Sequence, residues 1–391
     1  MFRIDIGAAL RRARESGPAT MPEILSSAAA ELGATDLVVY LVDFGQTTLE
    51  PLPDRALHAE LSVSEPVGAT MAGRAFTDQQ VLTAQRDDGL RVWVPVLEGS
   101  DRTGVIALSL PEADDAVLQA CEELGLLAGY LIAAQARCTD VYNLYRRRRS
   151  MSLAASMQWD LLPPLVLRST TVAVAGLVEP AYDVGGDCFD YADNGAVFDL
   201  AIMDAMGHGL RSAALSALVM GAYRHSRREA RSLDFMHQHL DVTLRAQYDD
   251  ASFVTGVLAR IDTDTGVLTW TNAGHPPPLL VRGGQVIREL TSRSVSPWGL
   301  IEASPNVQSE PLEPGDSILL YTDGVTEART TEGELFGLDR LIDITQNHAS
   351  DLYGPEELVR QVVRKVLEHN QVDLRDDAAI VAARWSGPPA A

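Results

Sequence analysis

Apolar positions along the chain change their period, and the changes separate three stretches. Residues 1–135 mix helical and strand patterns. Residues 22–32 space their apolar side chains as a short helix does, with Pro22 suited to its first turn. Residues 37–43 form a β-branched apolar run, and Gly45-Gln46 supplies a turn before a more polar strand at 47–51. Residues 91–96 and 104–110 read as two strands joined through Glu98-Gly99-Ser100-Asp101. Residues 115–134 are amphipathic, with Val117, Leu118, Leu124, Leu127 and Leu131 on or near one helical face.

Residues 136–163 predict a connecting helix. Val141, Leu144, Met151, Ala155 and Leu162 recur at spacings of three, four or seven, which suits a short coiled-coil seam with a second copy of the chain. Arg148 and Gln158 interrupt the seam, and Arg146-Arg147-Arg148-Arg149 reads as a solvated face. Pro163-Pro164 ends the helix, since neither proline has an amide hydrogen to continue it.

Residues 164–386 are mainly strand-like, at 172–178, 196–203, 253–261, 267–272, 318–322 and 379–383. Asp262-Thr263-Asp264-Thr265-Gly266 reads as a hairpin connection. Helices are expected at 210–231 and 355–370, the second burying Leu358, Val359, Val362, Val363, Val366 and Leu367 along one side. Antiparallel strands with a few long helices predict a layered α+β fold, a sandwich with helices outside. Residues 387–391 are expected to be a disordered tail.

Composition narrows the function classes. The 391 residues allow two or three domains, and 46% hydrophobic with 22% charged residues argues against wholesale disorder. A net charge of -22 argues against unspecific binding to nucleic acid or to an anionic membrane, and otherwise reads as solubility. Cys121, Cys138 and Cys188 are odd in number and lack metal-site spacing, which fits a reducing cytosol. Residues 1–17 carry Arg3, Asp5, Arg11, Arg12, Arg14 and Glu15 where a signal peptide would be apolar. No unbroken apolar run of about 18 residues occurs. The expectation is a cytoplasmic protein with no nucleic-acid or membrane partner.

Four separated segments place Asp beside glycine or at the end of an apolar run: Val184-Gly185-Gly186-Asp187, Met203-Asp204-Ala205-Met206-Gly207-His208-Gly209, Tyr321-Thr322-Asp323-Gly324 and Arg375-Asp376-Asp377-Ala378. Hard divalent cations need several oxygen ligands, so four such points together could hold two ions that activate water against a phosphate ester. Each segment singly has an ordinary reading. Asp204 could cap a helix, Gly185-Gly186 and Asp323-Gly324 could be turns, and Asp376-Asp377 could be solvated loop. Gly185-Gly186-Asp187 superficially resembles the diguanylate cyclase signature, but Cys188 stands where that signature needs Glu.

The company of the four segments separates these readings. Met157-Gln158-Trp159-Asp160-Leu161-Leu162-Pro163 and Glu179-Pro180-Ala181 come before and beside the first. Asn272-Ala273-Gly274-His275-Pro276-Pro277-Pro278 follows the second, and Val325-Thr326-Glu327-Ala328 with Leu335-Phe336-Gly337 follows the third. In this order the elements resemble the SpoIIE/RsbU-type phosphatase domain of the PPM (PP2C-like) family, over about residues 156–384. The resemblance implies a two-sheet sandwich flanked by helices and a metal-dependent serine/threonine phosphatase. It implies Asp187, Asp204, Asp323 and Asp376 as catalytic metal ligands, the Ala205 carbonyl as a fifth, and two Mn²⁺ or Mg²⁺ ions. Ala205 replaces a glycine common in the family, and His208 lies too far from Asp204 to be carried over as general acid. His208 and His275 read as structural loop and turn residues, Cys188 as a small buried residue, and Asp190 and Asp377 stay unassigned.

The first stretch is similar to a GAF sensory domain, and Gly68-Ala69-Thr70-Met71-Ala72-Gly73-Arg74-Ala75 resembles that family's short helix. Together the resemblances imply a sensor-regulated phosphatase acting on a phosphorylated STAS-domain anti-anti-sigma factor. A small-molecule or protein ligand for the GAF-like domain and a homodimer are further expectations. A catalytically silent phosphatase-fold binding module is the competing reading, and metal binding separates the two.

Overall fold

The computed structural model describes residues 4–53, 63–87, 89–179, 182, 185–248, 252–293, 295–302, 304–349, 354–370, 374 and 376–388. Pro180-Ala181, Val184, Arg375 and the tail from 389 onward lie outside the described residues. The chain forms two compact units, Met1–Ser150 and Met151–Ala391.

In the first unit a six-stranded antiparallel sheet runs in the order Glu65–Pro66, Thr48–Leu52, Asp36–Val42, Asp101–Leu110, Gly89–Glu98, Leu82–Arg86. Alternation along Asp36–Val42 divides the core. Val39 and Leu41 face helices Met21–Ala30 and Asp115–Ala136, whereas Tyr40 and Val42 join Phe76 of helix Met71–Asp78. Helix Asp115–Ala136 begins where the Asp114 carboxylate accepts the Val117 amide. With a mean hydropathy of 1.4 it is long and apolar enough to cross a bilayer, although it is not an unbroken apolar run. It carries Glu122 and Glu123, and it packs Leu124, Leu127 and Leu131 into this unit's core.

The connecting helix expected over 136–163 is not continuous. Helix Asp115–Ala136 ends there, Val141–Arg146 is a separate short helix, and Leu153–Leu161 starts afresh behind Ser152, whose hydroxyl caps Ala155. Two of the arginines in the connector are engaged by the first unit. Arg146 donates to Val42 O at 2.9 Å and lies over the Phe44 ring, and Arg148 meets Thr48 Oγ1 at 2.9 Å and Glu50. Residues 136–150 therefore pack with the first unit, and no continuous seam remains for a second copy.

The second unit is a sandwich of two antiparallel sheets. One runs Gln308–Pro311, Val267–Ala273, Val254–Asp262, Val197–Ala205, Asp187–Asp193, and the other runs Gln285–Glu289, Leu279–Arg282, Ser317–Tyr321, Ala378–Trp385, Val172–Glu179, Val166–Arg168. Phe189, Phe198, Leu200, Ile202 and Trp270 of the first sheet meet Val174, Ile318, Leu320 and Val381 of the second in one core. Odd and even positions part cleanly: Cys188, Ala201 and Met203 point outward to helices Leu210–Arg228 and Leu233–Gln247. Helices Gly337–His348 and Pro355–Asn370 cover the other sheet. The single helix expected at 210–231 stops early because Ala230 turns left-handed (φ 51), the Arg231 amide returns to Ser226 O, and Ser232 opens a second helix. Leu367, expected in the core, is exposed.

Candidate functional site

Four strand ends meet at one end of the sandwich. Asp204 closes Val197–Ala205, Asp187 opens Asp187–Asp193, Asp323 follows Ser317–Tyr321, and Asp376-Asp377 precedes Ala378–Trp385. Alternation decides where the first two point. Phe189 and Tyr191 face the inter-sheet core, so Asp187 shares that face, and Leu200 and Ile202 bring Asp204 to it likewise. The two residues are directly paired across the strands, which sets like charges side by side.

Asp187 ties the two sheets together. Its Oδ2 accepts from Thr322 Oγ1 at 2.6 Å and from the Ala379 amide at 3.0 Å, both on the opposite sheet. Asp377 Oδ2 accepts the Gly186 and Asp187 amides at 2.6 and 3.2 Å, and Gln158 Nε2 donates to Asp187 O at 2.6 Å. Glycine is needed here for close approach: an added Cβ on Gly185 would meet Ala154 O at 2.8 Å, and on Gly186 Ala205 O at 3.1 Å. Ser212 at the start of helix Leu210–Arg228 holds Gly185 O at 2.6 Å, and Ser216 holds Gly186 O. Gly207 and Gly209 make the turn before that helix at φ 88 and 76, and no side chain caps it, so Asp204 is not a helix cap. Asp323 stands exposed in the first turn of the short helix Asp323–Thr326.

Burial and crowding set the electrostatics. Burial, then Asp204 and Asp377, raise the Asp187 carboxyl well above the ordinary range. Asp204 is pushed up to about 7 by burial and then by Asp323 and Asp376. Asp377 rises to about 6, mainly through burial, and Asp323 rises through partial burial, Glu327 and Asp376. His275 is buried and pushed down to about 3 by that burial, so it is neutral. Its Nε2 then donates to Tyr321 O at 3.1 Å and its Nδ1 accepts from Thr255 Oγ1 at 2.8 Å. Thr255 has one hydroxyl proton, so its 3.4 Å contact with Asp204 Oδ2 is bonded only when Asp204 itself is protonated.

The donor set fits hard cations. Asp187, Asp204, Asp323 and Asp376 form no ion pair with arginine or lysine among the described residues, while Asp190, Asp199 and Asp316 elsewhere in the unit all do. The second oxygen of Asp377, Oδ1, is buried and has no hydrogen-bond partner among the described residues. The acids do not close into a cage of three side chains among the described residues. Asp323 and Asp376 line an open mouth instead, as suits ions that keep several waters, while Asp187 is buried and paired with Asp204 on the neighbouring strand.

The remaining sequence candidates separate clearly. Asp190 points outward and is gripped by Arg224 and Arg227, each at 2.8 Å, so it is structural. His208 is exposed in its loop. Cys188 is buried, and burial raises its thiol, which keeps it neutral. Thr322, Thr255 and Asp377 touch the site although the sequence reading gave them no role. Thr322 had one signal, its place beside Asp323 after an apolar strand.

Residues 194–386 match the family Stage II sporulation protein E (SpoIIE). The phosphoserine phosphatase RsbU of Bacillus subtilis is 23% identical over 239 residues, covering 61% of this chain and 70% of RsbU. The phosphoserine phosphatase RsbP of the same organism is 25% identical, covering 58% of this chain and 56% of RsbP. Among solved structures, the RsbU and RsbW domains of a Mycobacterium tuberculosis protein superpose with a TM-score of 0.50 at 25% identity, covering 56% of this chain and 62% of that one. The SiaA PP2C domain of Pseudomonas aeruginosa superposes with a TM-score of 0.51 at 22% identity, covering 65% of this chain and 99% of that domain. The second unit, through residues 194–386, is thus similar to the SpoIIE family and to PP2C-like (PPM) serine/threonine phosphatases.

Proposed function

We propose that the second unit is a divalent-metal-dependent phosphatase for phosphoserine or phosphothreonine in a protein, and that the first unit is a GAF-like sensor that regulates it. The facing of Asp187 and Asp204, two carboxylates without a cationic side chain between them, carries the reading. Asp187, Asp204, Asp323, Asp376 and the Ala205 carbonyl would hold two Mn²⁺ or Mg²⁺ ions. Such ions supply a nucleophilic water and offset charge on the phosphoryl oxygens. The chain's own part is orientation. Thr322 and the Ala379 amide fix one oxygen of Asp187, and Asp377 fixes the backbone leading into it. His275 and Thr255 hold the turn beside Asp204 against Tyr321 O.

The substrate reading is a phosphorylated STAS-domain anti-anti-sigma factor met in the cytoplasm, supported by the phosphoserine phosphatase relatives RsbU and RsbP. The GAF-like reading of the first unit is supported by its six-stranded sheet with helices on both faces. Purified protein with Mn²⁺ should release phosphate from a phosphorylated STAS protein, and Asp204→Asn should lower kcat by more than about a hundredfold. Undiminished turnover in that variant contradicts the assignment.

A further inference from the structure

An open cavity of about 200 Å³ beside the acidic mouth holds a cation that the reading above does not use. Asp323, Glu327, Arg329, Asn370 and Asp376 line it. Arg329 enters from a small, well-fastened turn. Arg329 and Leu335 form an antiparallel bridge, the Gly333 amide donates to Thr330 O at 2.9 Å, and the Phe336 amide donates to Ala328 O at 2.8 Å. Outside the turn, Arg340 bonds Leu335 O at 2.6 Å and pairs with Glu334, and His369 Nε2 meets Glu334 O at 3.0 Å. The backbone at 329 is thus held while its side chain stays exposed. One bond engages the guanidinium, Nη1 to Gly333 O at 3.3 Å. Three carboxylates line the same cavity, yet none pairs with Arg329 among the described residues. Arg224, Arg260, Arg282 and Arg340 of the same unit all have acidic partners.

We propose that Arg329 binds the phosphoryl group of the substrate, its planar fork of donors meeting phosphoryl oxygens at the mouth shared with Asp323 and Asp376. The proposal rests on the phosphatase reading and adds a group to it. A phosphate dianion approaching a chain of net charge -22 is repelled at long range, and the acids of the mouth add to that. A guanidinium stays charged at any working pH and is shaped for two parallel bonds to phosphate, which an ammonium is not.

The test uses the full chain loaded with Mn²⁺. Inorganic phosphate is titrated calorimetrically into wild type, Arg329→Ala and Arg329→Lys, and KM is measured for an aryl phosphate and for the phosphoprotein. Arg329 is exposed, so both variants should fold, and unchanged Tm and Mn²⁺ affinity verify this. Arg329→Ala should bind phosphate about tenfold more weakly, with KM raised for both substrates alike, and Arg329→Lys should recover part of the loss. Wild-type phosphate affinity in Arg329→Ala overturns the proposal, even where KM for the phosphoprotein alone rises. That result would place Arg329 against the protein around the phosphate. If the wild type binds no Mn²⁺ and hydrolyses neither substrate, the phosphatase reading fails and this proposal with it. An active, Mn²⁺-binding wild type with an indifferent Arg329→Ala fails the proposal alone.

Discussion

Asp187 and Asp190 lie three residues apart on one strand, so the alternation of side chains sends them to opposite faces. Asp187 faces the sandwich interior and its fellow acids, and Asp190 faces a helix that answers it with Arg224 and Arg227. The two should therefore respond oppositely to substitution. Asp190→Ala leaves two guanidinium groups without their buried partner and should cost about 3–5 kcal/mol, while folded protein keeps its Mn²⁺ affinity. Asp187→Asn removes one of two facing carboxylates, so it should leave ion-free stability equal or higher and lose Mn²⁺ affinity. Urea unfolding with and without Mn²⁺ measures both. Strand parity could have sorted this pair from the sequence, had the segment after Gly185-Gly186 been read as a strand.

Helix Asp115–Ala136 lies close on its sheet through Gly125 and Gly129, one turn apart, where added Cβ atoms would enter the carbonyl oxygens of Pro95 and Leu97. Gly129→Ala therefore sets two effects against each other. Alanine gains about 1 kcal/mol of helix propensity, and overpacking against backbone costs about 1–3 kcal/mol or more. Loss should prevail, seen as faster amide exchange in the strands Gly89–Glu98 and Asp101–Leu110; slower exchange would show that the contact is loose. Long periodic elements of this kind were legible in the sequence, as were most central strands of the sandwich. The connector was misread because heptad spacing cannot show that Arg146 and Arg148 have partners at Val42 and Thr48. Helix Leu233–Gln247 was missed because a left-handed alanine, rather than a glycine, ends the helix before it. The strands Gln285–Glu289 and Gln308–Pro311 sit at sheet edges and are mostly polar, so they carried no signal. The four aspartates were legible through the motifs around them. Thr255 and Gln158 were not, since their role exists only once the strand ends meet.

The second unit as a whole stores like charge at one end of its sandwich, and that charge couples folding to pH and to ions. In the ion-free protein Asp187, Asp204 and Asp377 have raised carboxyl pKa values, the last two about 7 and about 6. Their contribution to stability is full below the ordinary carboxylate range and is lost as pH rises through those values. His237 and His275 act the other way. Burial lowers them from 6.5 to about 4 and about 3, so their contribution is lost as pH falls toward those values. A divalent cation at the mouth removes only the first effect, and it must displace the carboxyl protons to do so. The most direct test is calorimetric titration of Mn²⁺ at about pH 6 and about pH 8.5, in buffers of different ionisation enthalpy, with wild type and Asp204→Asn. Saturable binding is predicted at both values, with more protons released at the lower one than at the higher, and binding lost in the variant. Absence of Mn²⁺ binding, or equal binding by Asp204→Asn, would contradict a shared cation site built from Asp187, Asp204, Asp323 and Asp376.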